Sequence, residues 1–215
     1  MIDFADARRN MVDGQIRTAN VTDLRVIAAM LEIAREKFVP PASAAIAYLD
    51  IDVSVGGSRR LLRPMMLAKL LQAADLEGTD RVLDVGCATG YGAAILARIV
   101  GQVVALEEDA GLAKTAAESL ASQPNIQVVD GALADGWARG APYDVVVLEG
   151  STEVVPHGLC QQLKDGGRLV CMLGAGPGTK AMVYTRSDGE VSGRPVFDAS
   201  AVVLPGFAKT PVFAF

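Results

Sequence analysis

Hydrophobic and polar positions follow two different periods along this chain. Near the N-terminus, Val21, Leu24, Ile27, Ala28 and Leu31 recur at helical spacing and predict an amphipathic helix, with Asn20 or Thr22 as its cap. Phe38-Val39-Pro40-Pro41 ends that region, because a residue before proline is pushed out of the α region. Residues 51–63 (IDVSVGGSRRLLR) read as a short strand and a glycine-rich, basic loop. Pro64 then opens a helix whose Met66, Leu67, Leu70 and Leu71 face inward. From residue 81 the pattern alternates: strand 81–86, helix 90–99, strand 102–107, helix 110–121, strands 126–130 and 143–148, helix 156–163, strand 168–173. Strands such as Val145-Val146-Val147-Leu148 are continuously apolar, as in a parallel sheet covered on both faces. Antiparallel strands are expected at 180–186, 201–204 and 211–215, with a turn at Ser187-Asp188-Gly189-Glu190. The expected fold is α/β: a doubly wound, mostly parallel Rossmann-like sheet with an N-terminal helical extension and antiparallel C-terminal strands. The expected division is 1–63, extension and basic loop, and 64–215, one α/β unit.

Residues 82–107, VLDVGCATGYGAAILARIVGQVVALE, hold the candidate chemistry. A strand runs through Asp84 into Gly86-Cys87-Ala88-Thr89-Gly90, a helix follows, and the next strand ends in Glu107. Glycine in a strand-to-helix turn lets the backbone approach a ligand, and an acid at the next strand tip accepts bonds from both ribose hydroxyls. Glu107 follows Gly86 at the roughly 20-residue spacing of such a ribose reader. Dinucleotide sites favour G-x-G-x-x-G, but Ala88 stands where the second glycine falls, and Asp84 would repel a pyrophosphate. No phosphate-gripping G-x-x-x-x-G-K-[ST] occurs. A carboxylate at Asp84 suits a cationic or zwitterionic ligand. The D-x-G-x-A-x-G pattern resembles the first motif of class I S-adenosylmethionine (SAM) methyltransferases. Asp84, Gly86, Cys87, Ala88, Gly90 and Glu107 are therefore candidate cofactor residues. Asp130-Gly131 ends the third strand, in position for an adenine, and Glu149-Gly150 ends the fourth, nearest a transferred group; Asp-Gly is also ordinary turn chemistry.

Composition narrows the partners. A net charge of −5 and the lack of a Lys/Arg run argue against nucleic acid. The absence of a long apolar stretch or an apolar leader argues against a membrane and makes the cytoplasm the default. Three cysteines, Cys87, Cys160 and Cys171, lie in apolar segments without C-x-x-C spacing and read as buried side chains. The single histidine, His157, reads as a surface residue; it can build neither a metal site nor a triad alone, so no metal is expected and no catalytic residue is assigned.

Taken whole, the chain resembles a protein-L-isoaspartate O-methyltransferase. The matching segments are MVDGQI (11–16), VTDLRVIAAM (21–30), REKFVPP (35–41), AYLDIDVSVGG (47–57), the glycine-turn segment 82–99, VVDGALADGW (128–137) and VPHGLCQQLKDGGRLVCMLG (155–174). The resemblance implies a cytosolic repair enzyme that uses SAM, leaves S-adenosylhomocysteine (SAH), and esterifies an isoaspartyl α-carboxylate. A peptide or a small carboxylate would be the acceptor. The departure is in the substrate loop, where the family resembles G-x-G-Q-T-I-S-Q-P. Here the loop reads Gly56-Gly57-Ser58-Arg59-Arg60-Leu61-Leu62-Arg63-Pro64. Leu62 replaces a hydroxyl residue and cannot donate a hydrogen bond, whereas Arg59, Arg60 and Arg63 can each hold a carboxylate bidentately. Either these arginines hold an anion, or the loop is a solvated basic surface and acceptor activity is altered or lost. A catalytically idle SAM-binding protein is one rival reading; an NAD-linked oxidoreductase is another, opposed by Asp84 and Ala88.

Overall fold

In the computed structural model, which describes residues 2–210, every strand expected between 81 and 173 joins one sheet. Its members are β3 (Arg81–Val85), β4 (Gln102–Glu107), β5 (Ile126–Asp130), β6 (Tyr143–Thr152), β7 (Leu163–Leu173), β8 (Lys180–Ser187) and β9 (Glu190–Asp198), in the order β5-β4-β3-β6-β7-β8-β9. The first five pair in parallel, and β7-β8-β9 run antiparallel. A separate antiparallel hairpin is built by β1 (Val53–Gly56) and β2 (Arg59–Leu61).

Alternate residues of the parallel strands feed two apolar cores. Val82, Val103, Ala105, Val145 and Val147 pack with the N-terminal helices, α3 (Pro64–Ala73), α4 (Tyr91–Leu96) and α5 (Ala110–Leu120). Leu83, Val85, Val104, Leu106, Val146 and Leu148 pack on the other face with Leu133, Leu159, Leu204 and Phe207. Burying each large side chain of this kind contributes about 1.5–3 kcal/mol. That two-faced burial is why the strands read as unbroken apolar runs.

Several boundaries differ from expectation. The helix α2 spans Leu24–Glu32 and is capped by Asp23, whose carboxylate accepts from Arg25 N; Asn20 lies before it in a left-handed turn. Its buried face is Val26, Ile27, Ala29 and Met30, and Leu24 is 72% exposed, so the expected stripe is rotated. Gln72 Oε1 accepts from the backbone of Thr22 and Asp23, which fixes the helix entry and turns the first apolar residue outward. Helix α4 is shorter than the expected 90–99, and α6 is a single turn, His157–Cys160, after which β7 begins early at Leu163. The C-terminal meander uses Glu190–Asp198, which the pattern missed because its residues are largely exposed. Residues 201–204 make only an isolated parallel bridge, Ser151 with Val203. The strand expected at 211–215 lies outside the described residues.

Candidate cofactor site at the strand switch point

Strand β3 has β4 on one side and β6 on the other, so the chain order reverses around it. Ligands of open α/β sheets sit beyond the carboxyl ends of the strands at such a point. There the backbone turns through Gly86 (φ 80°) and Ala88 (φ 52°), and the N–H groups of Gly86 and Cys87 both donate to Leu106 O. Glu107, fully buried at the tip of β4, accepts from the backbone N–H of Ala88 (2.8 Å), Glu108 (3.1 Å) and Asp109 (3.3 Å). These bonds aim its carboxylate back over the glycine turn.

Arg59 occupies the space over that turn. Residues 56–63 are not the expected loop: Arg59 and Leu61 alternate with Arg60 on β2, so Arg59 points inward with Leu61 and is 5% exposed. Its Nε and Nη2 donate to the two oxygens of Glu107 (3.1 and 2.8 Å), and Nη2 also donates to Gly86 O (2.8 Å). The other arginines differ. Arg63 forks onto Asp52 (3.1 and 3.2 Å), and Arg60 is exposed. Two of the three arginines thus hold carboxylates of the protein itself. Leu62 is buried, and its carbonyl accepts from Arg35 Nη2 (2.7 Å).

Behind the turn lies a second buried polar group. Asp84 is completely buried and neither of its oxygens meets an N–H; Glu149 Oε1 is likewise without a partner. Burial pushes Asp84 up to about 7; a hydrogen bond from Glu149 opposes the rise, the Glu107 charge adds to it and Arg59 opposes it. Burial, then the neighbouring Asp84, raises Glu149 well above the carboxylate range. Glu149 was expected at a strand end but lies within β6, which continues through a register irregularity to Thr152. Its carboxyl packs directly on Gly92, where any Cβ would collide with it. Arg35, also fully buried, donates to Ala47 O (2.7 Å) and lies 4.7 Å from the Tyr91 ring centre.

Asp130 is exposed at the tip of β5, and Gly131 faces Leu106 and the Trp137 ring. Gly90 (φ 95°) instead faces Leu120 and Ala116 of α5, so its missing side chain serves helix packing. Cys87 is buried and its thiol is raised by burial. Cys160 and Cys171 are buried and free, and His157 is exposed. Among the described residues no cluster of His, Cys, Asp or Glu has the arrangement of a metal site, and no helix is long and apolar enough to cross a membrane.

The frame has the chemistry for a SAM-type ligand. Glu107 presents acceptors for a diol, Gly86 O presents an acceptor for an ammonium, and the glycine leaves the backbone bare. The group now seated on those acceptors is a donor-only cation, Arg59. A Cβ on Gly86 would lie 2.8 Å from Arg59 Nη2 and 3.1 Å from Leu204 Cδ1, so side chains fill the space over the turn. The remaining cavity, bounded by Arg59, Leu62, Glu149 and Leu204 among others, is about 10 Å³, room for about one water. A hollow of about 440 Å³ between Lys69, Gln72, Arg194 and Phe197 lies beside Asp75, at the opposite end of β3. Sequence reasoning missed Arg35, the inward turn of Arg59, and Leu204. Only the Arg59 orientation had a local signal, the alternation Arg59-Arg60-Leu61.

Known proteins place this arrangement. A protein-L-isoaspartate O-methyltransferase 1 of Rhodopseudomonas palustris (strain HaA2) is 38% identical over 182 residues, covering 84% of this chain and 74% of that protein. One from Methanoregula boonei is 36% identical over 187 residues, covering 86% of each. A solved protein-L-isoaspartate O-methyltransferase superposes with a TM-score of 0.78 at 26% identity, over 93% of this chain and 66% of that one. A Plasmodium falciparum structure described as the same enzyme, in complex with S-adenosyl-L-homocysteine, shares the fold with a TM-score of 0.78 at 18% identity, over 95% and 99%. The family model for protein-L-isoaspartate(D-aspartate) O-methyltransferase matches residues 6–205. Matched by that model over most of its length and by relatives 36–38% identical, this chain belongs to the protein-L-isoaspartate(D-aspartate) O-methyltransferase family.

Proposed function

We propose that this protein is a SAM-dependent O-methyltransferase that acts on a carboxylate, with the family's isoaspartyl peptide as the first acceptor to test. The observation that carries the reading is Glu107 at the tip of β4, held by three backbone N–H groups beside the glycine turn of a family-matched chain. We assign Glu107, Gly86, Ala88, Cys87 and Gly131 to the cofactor's surroundings, with Asp84 behind the turn and Asp130 at the adenine edge; Gly90 supports them through α5. In this reading residues 64–215 carry the cofactor side, and 1–63 supply the hairpin that faces the acceptor.

When bound, SAM supplies an electrophilic methyl group on a good leaving group. The protein's own contribution is then positioning, which in oriented reactions is worth up to about 7–11 kcal/mol. A carboxylate acceptor is ionised near neutrality and needs no strong base, so the exposed His157 is no obstacle. Of the three arginines, Arg60 is exposed and has no carboxylate partner among the described residues, which leaves it to meet an acidic acceptor. The net charge of −5 favours a peptide or small carboxylate over nucleic acid, and three unpaired cysteines suit a reducing cytoplasm. Calorimetry with SAH and methanol release from an isoaspartyl peptide test the reading together. Tight SAH binding with no turnover of any carboxylate would leave a binding protein and remove the enzyme assignment.

A further inference from the structure

We propose that Arg59 is an internal occupant of the cofactor's ribose position, so that SAM binding and withdrawal of the β1–β2 hairpin are one event. The inference rests on the SAM reading above and goes beyond it. Three observations meet at one point. The guanidinium spans both oxygens of Glu107 and the carbonyl of Gly86, the acceptors a nucleoside-bearing cofactor would need. The contact is sealed, with Arg59 and Glu107 side chains 6% and 0% exposed and a neighbouring cavity of about 10 Å³. Ligand pockets ordinarily measure roughly 300–1,000 Å³, so a cofactor and this arginine cannot share the site.

The arginine is carried by a hairpin of few residues, with Val53, Val55 and Leu61 as its buried side chains beside Arg59 itself. Gly57 (φ 50°) and Ser58 form its turn, directly after Gly56 at the end of β1. A second plug comes from the other end of the chain. Leu204, held by the exchange Leu204 N to Ser151 O and Ser151 N to Val202 O, covers Gly86 and Gly150. The hairpin includes the segment aligned with the family's substrate loop. A ligand that takes Glu107 from Arg59 therefore also rearranges the acceptor side, and by linkage an acceptor that holds the hairpin away strengthens cofactor binding by the same factor.

The test removes the occupant and leaves its seat intact. In Arg59→Met, Glu107 keeps its three backbone donors, so the strand tip remains satisfied. SAH is titrated into wild type, Arg59→Met and Arg59→Lys by calorimetry and by fluorescence of Trp137, the single tryptophan, whose ring borders Gly131. Apparent affinity is the intrinsic affinity multiplied by the fraction of molecules with the site open. The expected result is binding on the order of tenfold or more tighter in Arg59→Met, with Arg59→Lys in between and a larger SAH-induced rise in melting temperature. If Arg59→Met does not fold, the direction of Arg59→Lys decides. Wild-type binding equal to or tighter than that of the variants overturns the occupant and leaves the SAM reading standing. Folded proteins that all fail to bind SAH overturn both.

Discussion

Asp84 and Glu149 stand side by side in the interior, and no N–H reaches Asp84 from either face of the sheet. Burial disfavours the charged form of both carboxyl groups, and the hydrogen bond from Glu149 offsets only part of the rise at Asp84, so the folded protein retains a proton that the unfolded chain releases. For Asp84 that window opens near the unfolded value of 3.8 and closes near 7. Its folded value is raised, so its stabilisation is complete below the lower bound and is lost as pH rises through the upper. Calorimetric melting temperature is expected to fall from pH 5 to pH 8. The pair Asp84→Asn with Glu149→Gln should flatten that slope, and a wild-type melting temperature that rose over the same range would refute the assignment.

Removing Glu107 leaves Arg59 buried with only the Gly86 carbonyl. Breaking a buried pair from one side typically costs about 3–5 kcal/mol, so Glu107→Ala should lower the denaturation midpoint sharply. Adding Arg59→Met should restore part of the loss, because the orphaned charge is then gone. Strict additivity of the two changes in urea unfolding would show that the pair is not coupled. In the Arg59→Met background, Glu107→Ala should still weaken SAH about ten- to a hundred-fold, which isolates the ribose contact.

Gly86 combines a φ of 80° with contacts to Arg59 and Leu204. A side chain there meets a backbone penalty of about 1–3 kcal/mol and also displaces both neighbours. Gly86→Ala is expected to be folded but less stable, and Gly86→Val more so. Neither should bind SAH, since the added carbons stand where a ligand meets the backbone. Normal SAH affinity in a folded Ala variant would place the ligand away from this turn.

Leu62 stands where the resemblance implies a hydroxyl residue, which makes Leu62→Ser the obvious restoration. Its side chain, however, is 3% exposed and belongs to the main core. Truncating such a leucine costs about 2–5 kcal/mol. Leu62→Ser should therefore lower unfolding free energy and leave methanol release from isoaspartyl peptides no higher than wild type. Increased turnover at unchanged stability would mean that the hydroxyl alone separates this hairpin from the family's loop.

The sequence by itself determined the sheet and the glycine turn at its switch point. Unbroken apolar runs such as Val145–Leu148 need no knowledge of their partners, because burial on both faces is written into each strand. The glycine turn and Glu107 were legible for a similar reason: local backbone geometry and one βα repeat fix both. The family segments added the N-terminal helices and the hairpin's alignment. What failed locally was rotation and boundary, as in α2, where Asp23 and the distant Gln72 decide which side of the helix faces inward.

Only the tertiary structure decided what the acids do. Arg59 and Glu107 are 48 positions apart, and no periodicity links them. Their pairing depends on the β1–β2 hairpin folding over the sheet ends, which turns Arg59 from an expected solvent or substrate contact into an interior one. The same holds for Leu204, which reaches Gly86 because Ser151 holds its segment, and for Asp84 and Glu149, which meet because β3 and β6 are neighbours at the switch point. Local sequence encodes which residues can be buried. Long-range pairing decides which buried charge meets which, and here it has set a guanidinium on the carboxylate that the sequence marked for a ribose.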